Sequence, residues 1–164
     1  MKLDIRHTYP CSAETFWKMY WDDRFDELLQ ANATVDREIL EQTDSGDQLL
    51  RRMRFTPHAE LPSAIATMAG AKKFIWNQEN RWFKSDARVT WKVIPELMTD
   101  RIKAEGWFTV KDVAGGCEMH VQGEIAVKVR FIGSKIEGQV MSQVSTGYDR
   151  MLEAGKTWIS QHGS

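Results

Sequence analysis

The stretch "GEIAVKVRFIGSKIEGQV" occupies residues 123–140, and its reading decides the fold. Its first half alternates. Gly123, Ile125, Val127 and Val129 share one side and Glu124 and Lys128 the other, the period of a half-buried strand. Its second half holds "SKIE" at 134–137, the pattern of a capping box, in which the Ser134 hydroxyl accepts from the Glu137 N–H and the Glu137 carboxylate reaches back. Strand and helix meet at "RFIGS", where Gly133 is expected to permit a sharp change of direction. From there Ile136, Val140, Val144, Gly147, Met151, Ala154 and Trp158 recur every three or four residues. Met141, Tyr148, Leu152 and Ile159 widen that apolar side, while Lys135, Ser142, Asp149, Glu153 and Lys156 take the other. The spacing predicts a helix over 135–161, roughly 40 Å long at 1.5 Å per residue.

The chain upstream of this stretch is rich in strands. "KLDIRHTY" (2–9) places Leu3, Ile5 and His7 on one face, and Pro10 ends it. Ser12 reads as the N-cap of a helix in "AETFWKMYW", and a second short helix follows at about 23–31. Strands are expected at 33–43, 47–57, 72–84, 87–94, 100–113 and 117–130, with turns at "DSGD" (44–47) and at Gly115–Gly116. Successive strands with one apolar face make an antiparallel sheet that is wet on one side. A parallel arrangement would need crossover helices, for which there is no room. The terminal helix is what can cover the apolar side. The one irregular insertion, "TPHAELPSAIATMAG" (56–70), reads as a short helix with Pro62 in its first turn and Gly70 at its end. No linker or repeat divides the chain, so one α+β domain is expected over residues 1–164.

Composition excludes several classes. Lys plus Arg is 22 and Asp plus Glu 23, a formal charge of -1, which argues against general nucleic-acid binding. No apolar run approaches the ~20 residues of a membrane span, and the charged start "MKLDIRHTYP" lacks the apolar stretch of an export signal. Cys11 and Cys117 read as free buried thiols in a reducing cytoplasm. His7, His58, His120 and His162 have no zinc-ligand spacing, so neither a metal nor a cofactor is expected. Seven Trp and eight Met are many for this length, and suit an irregular interior or a cavity for an apolar guest.

The order strand, two short helices, antiparallel strands and one long helix resembles the helix-grip fold of START-like lipid-transfer domains, the birch-pollen-allergen family and the polyketide cyclases. The residues that carry the resemblance are "YPCSAETFWKMYWDD", "LPSAIATMAG" and the opening stretch, and it extends over nearly the whole chain. It is nearest to uncharacterised START-like bacterial proteins. The resemblance implies a cavity between a curved sheet and the long helix, an apolar small-molecule ligand held there, and a gate at residues 61–70.

Candidate ligand contacts lie on the inferred inward faces. On one strand Arg51, Met53 and Phe55 share a face. If that face is inward, Arg51 needs a ligand anion, an internal carboxylate, or a bulge that turns it outward. On the next strand Trp76, Gln78, Asn80 and Trp82 align. Gln78 and Asn80 either orient a ligand or sit at a frayed end. Trp91, Phe108 and Met119 come from later strands, and Val144, Gly147, Tyr148 and Met151 from the helix. Gly147 leaves space for a guest or for a sheet tryptophan such as Trp91. Tyr148, toward the flank of the helical wheel, is a structural tyrosine or a proton donor. Three functions are open. The first is a carrier or sensor of a lipid, fatty acid, sterol-like or polyketide-like compound. The second is a cyclase or hydrase using two of Arg51, Tyr148 and His7. The third is a protein-interaction module. The basic groups "RRMRF" (51–55) and "AKK" (71–73) flank the expected gate and could touch anionic headgroups.

Overall fold

The computed structural model describes residues 1–163. Strand β1 (Lys2–Tyr9) is followed by helices α1 (Ala13–Tyr20) and α2 (Asp23–Gln30). Strands β2 (Val35–Asp44) and β3 (Gln48–Pro57) form a hairpin, and the short helix α3 (Ser63–Ala69) follows. Then come β4 (Trp76–Phe83), β5 (Arg88–Pro95), β6 (Ile102–Val113), β7 (Gly116–Val127) and the terminal helix α4 (Gly133–His162). The strands make one antiparallel sheet in the order β1-β7-β6-β5-β4-β3-β2. The first and last strands in sequence become neighbours, and β1 and β7 both lie against α4.

Local chemistry explains most boundaries. Ser12 Oγ accepts from the Thr15 N–H at 3.1 Å and starts α1, as the sequence predicts. Asp22 caps α2 through the Arg24 N–H at 2.8 Å. The β2–β3 turn places Gly46 at φ 94°, a backbone conformation that a side chain resists. Two expectations fail for physical reasons. The strand expected at 72–84 starts only at Trp76. Before it the Lys72 carbonyl accepts from the Leu61 N–H, and Phe74 turns toward an apolar cluster. The strand expected to reach residue 130 stops at Val127, whose N–H donates to Glu137 Oε1 at 2.9 Å, and the Lys128 N–H turns to the Arg101 carbonyl.

That same Glu137 contact overturns the capping box. Ser134 lies inside α4, the cap residue is Ile132, and no side chain caps it. The carboxylate instead ties the last sheet strand to the first turn of the helix. Nor does Gly133 make the turn by a special backbone angle. Phe131 does that, at φ 70°. Gly133 is needed for close approach, since a Cβ there would lie 2.5 Å from the Val127 carbonyl oxygen.

Register decides what faces α4. One inner row runs Leu49, Trp82, Val89, Phe108, Val121, Ile5. The next runs Gln42, Arg51, Asn80, Trp91, Gly106, Gly123, Leu3. A third runs Ile39, Met53, Gln78, Val93, Ala104, Ile125. On the opposite face Arg52 pairs with Glu41 and Glu79, and Arg54 with Glu96. The "RRMRF" group is therefore no free cationic patch: one arginine is inside and two are neutralised outside.

The apolar interior divides into two clusters. The larger gathers Tyr9, Phe16, Met19, Phe25, Phe108, Val121, Trp158 and Ile159 around α1, α2 and the C-terminal end of α4. The smaller gathers Ile102, Val127, Val129 and Ile136, covered by Ile65 of α3, Phe74, Met98 and Ile132. Val140 touches both.

Candidate functional site

The inner face is polar at one edge and aromatic in its middle. Arg51 is inward and only 1% exposed. Its Nε donates to Gln42 Oε1 at 2.7 Å, its Nη1 lies 3.2 Å from Asp26 Oδ2, and its guanidinium lies 4.8 Å from the Trp21 ring centroid. Asp26, presented by α2, also pairs with Arg37. The internal carboxylate is thus the answer to the buried cation, and burial pulls the Arg51 pKa down despite Asp26. Beside it, Asn80 is buried and donates to the Tyr20 hydroxyl at 3.1 Å, and Gln78 donates to Asn80 Oδ1 at 2.8 Å. Neither Gln78 nor Asn80 sits at a frayed strand end.

Aromatic rings from α1 and its C-terminus come down onto this face. Trp17 stacks on Trp82 at 5.1 Å and on Phe108 at 5.9 Å, and Trp21 stacks on Trp82 at 5.4 Å. Nearer α3, Phe55 and Trp76 stack at 5.1 Å. Trp91 lies flat over a cross-strand glycine pair. A Cβ at Gly106 or Gly123 would come within 2.6 Å or 2.5 Å of its Cζ2. Gly147 therefore makes no room for Trp91; it is exposed, and a Cβ there would meet nothing within 4 Å.

The helix is rotated from the expected wheel. Its buried stripe is Ile136, Met151, Gly155, Trp158 and Ile159, with Val140, Met141, Val144 and Tyr148 half-buried between the two ends. Tyr148 is on the inward side, not the flank, and desolvation raises its hydroxyl pKa. The middle of α4 is less covered than either end. Opposite it, Phe55, Trp76, Gln78, Trp82 and Val93 are also half-buried, whereas Met53, Phe108 and Met119 are fully packed.

Some buried polar atoms on this interior lack any protein partner: the Tyr9 hydroxyl and the indole N–H groups of Trp21, Trp82 and Trp91. Tyr9 is wholly buried, and desolvation first, then Tyr148 and Tyr20, push its pKa up. Gly155 lets α4 approach it, since a Cβ there would lie 2.6 Å from Tyr9 Cε1. Tyr9 and Tyr20 are absent from the sequence-derived site, although the first was legible. It continues the Leu3, Ile5, His7 alternation by one more step. Tyr20 came from a helix read only as apolar packing.

The cyclase candidates do not converge. Arg51 is held by Gln42 and Asp26, while His7 Nε2 lies 3.3 Å from Asp149 Oδ1. No hydrogen bond joins any two of Arg51, Tyr148 and His7 among the described residues. No group of three or more His, Cys, Asp or Glu capable of holding a metal is found among the described residues.

A curved antiparallel sheet gripping a long terminal helix, with two short helices after the first strand, defines the START/birch-pollen-allergen class of folds. Residues 4–159 match the family described as Protein of unknown function (DUF2505), and the chain belongs to that family. Among solved structures, TTHA0849 from Thermus thermophilus is 15% identical with a TM-score of 0.68, all of both chains being covered. Ara h 8.0201 is 11% identical with a TM-score of 0.63 over 98% of each chain. A START superfamily protein from Mycobacterium smegmatis is 16% identical with a TM-score of 0.56, over 98% of this chain and 97% of that one. At these identities the likeness is one of fold. No functionally curated protein matches the sequence. No helix among the described residues is long and apolar enough to cross a membrane.

Proposed function

We propose that this protein, one domain over its length, binds an apolar small molecule between the inner face of the sheet and the middle of α4, as a carrier or sensor. One observation carries the reading: the Tyr9 hydroxyl and the Trp21, Trp82 and Trp91 N–H groups are buried without protein partners. An indole N–H can only donate. A buried donor left unpaired costs about 1–3 kcal/mol. A guest with an apolar body and carbonyl, ester or hydroxyl oxygens would offset that cost while covering the half-buried rings around it. At ~25 cal/mol per Å², burying ~200 Å² of apolar surface contributes roughly 5 kcal/mol.

In this reading Phe55, Trp76, Gln78, Trp82, Val93, Val144 and Tyr148 line the guest's body. The Arg51–Asn80 edge sets a polar limit. Helix α3 is the gate, because Ile65 and Phe74 cap the smaller cluster next to Val140, where the two clusters meet. Fatty acids, phospholipids, sterol-like and polyketide-like compounds all carry the required acceptors. The likeness to a START superfamily protein and to Ara h 8.0201 supports the assignment by fold.

The test is a titration of tryptophan emission with a panel of these compounds. Saturable quenching is expected, and Trp82→Phe should remove a large part of it. An unchanged spectrum across the panel, together with organic extracts of fresh protein that contain no lipid, would sink the reading.

A further inference from the structure

The loop between β7 and α4 carries the most exposed large apolar side chain of the described residues. Phe131 is 90% exposed and sits at φ 70°, in the left-handed region that bulky residues avoid. An aromatic ring held out in water by a strained backbone is not explained by packing, since nothing in the interior receives it. Its neighbour Ile132 belongs to the small cluster that Ile65 of α3 covers, so Phe131 stands at the α3 end of the molecule. Met68 of α3, three residues from Ile65, is 57% exposed.

Cations surround this tip. The Arg130 guanidinium lies 4.9 Å from the Phe131 ring centroid. The Lys128 N–H bonds the Arg101 carbonyl at 2.7 Å, which fixes these two beside each other at the base of the loop. Lys135 follows in the first turn of α4, and Lys72 follows α3. Arg101, Lys128, Arg130, Lys135 and Lys72 are exposed, and none of them has a carboxylate within ion-pair distance among the described residues. Nearby acids are fewer in free charge: Asp100 and Glu124 are exposed in the groove that holds Arg101 and Lys128, Glu60 is exposed just before α3, Glu105 is held by Lys103, and Glu137 is turned onto the Val127 N–H. On a chain of net charge -1 this is a local excess of one sign.

We infer that this tip docks onto an anionic lipid bilayer, with Phe131 and Met68 entering the headgroup boundary and the collar of cations meeting lipid phosphates. Aromatic side chains favour that boundary, and each Lys or Arg near an anionic surface adds attraction that salt screens. A docked tip would press on α3, next to the place where the two apolar clusters meet. The inference stands on the tip alone and does not require the interior to hold a guest.

Sedimentation of the full chain with vesicles tests it. Vesicles of phosphatidylcholine containing phosphatidylglycerol should bind the protein, those of phosphatidylcholine alone should bind it weakly, and added salt should release it. Phe131→Ser, at an exposed position, should leave the unfolding curve in place and weaken binding several-fold. The pair Lys128→Glu and Arg130→Glu should weaken it about thirtyfold or more, at about 1 kcal/mol per basic group lost. Equal binding to both vesicle types, or binding indifferent to Phe131 and to the charge reversals, would overturn the proposal. So would absence of binding with self-association that Phe131→Ser abolishes, which would mark the tip as a protein contact.

Discussion

Replacing Tyr9 by Phe removes one oxygen and asks whether its hydroxyl is an idle buried donor. The ring is wholly buried, touches Phe16 edge-on at 5.0 Å, and abuts Gly155. None of those contacts uses the oxygen. An unsatisfied buried hydroxyl costs about 1–3 kcal/mol. Deleting it leaves an oxygen-sized void, a loss of about 0.5 kcal/mol at ~24 cal/mol per Å³. The delipidated Tyr9→Phe protein should therefore be more stable than wild type by about 1 kcal/mol, or about 3 °C in Tm for a chain of this size. With a saturating guest the order should narrow or reverse, because only wild type gains a hydrogen bond to it. Calorimetry of both proteins, with and without a fatty acid or polyketide-like compound, measures all four states. If the delipidated variant is the less stable by about 1 kcal/mol or more, the hydroxyl has a partner in the folded protein and the reasoning fails.

Further outcomes follow from the same geometry. Asp26 serves two guanidiniums, so Asp26→Asn should cost about 3 kcal/mol by stranding the buried Arg51 and the largely buried Arg37, whereas Arg51→Met, which leaves Asp26 with Arg37, should cost under about 1 kcal/mol; equal shifts in urea midpoint would contradict this. His7 has its pKa lowered by burial, with Asp149 opposing and Lys156 assisting. The unfolded chain then binds the proton more readily than the folded one, so stability should fall as pH drops from the ordinary histidine value to the lowered one, and His7→Gln should flatten that slope in pH-dependent melting. Burial, with Cys11 adjacent, pushes the Cys117 pKa up to about 12, so native protein should react slowly with a disulfide reagent and denatured protein fast at both thiols.

The succession of strands and the covering role of α4 were legible because period-two and period-3.6 patterns are strong over eight to thirty residues. What escaped was local competition. Glu137 looked like a capping partner to Ser134, yet a strand end with a free N–H at Val127 lay within its reach and drew it away. The wheel placed Gly147 inward and Tyr148 toward the flank, but a helix anchored at its far end by Gly155 on Tyr9 and Trp158 on Asp22 is turned by those contacts. Arg51 was recognisable as a cation that would need a partner if its strand face turned inward. That its partner would be Asp26 required the packing of α2 on the sheet edge, which no spacing in the sequence encodes.

The most direct measurement is native mass spectrometry of the protein purified from its own host. A discrete adduct, lost on organic extraction and carrying oxygen acceptors on a hydrocarbon frame, is the predicted spectrum. Bare polypeptide mass from gently handled material, with no uptake after incubation with host lipid extract, would contradict the claim that the interior is built to hold a guest.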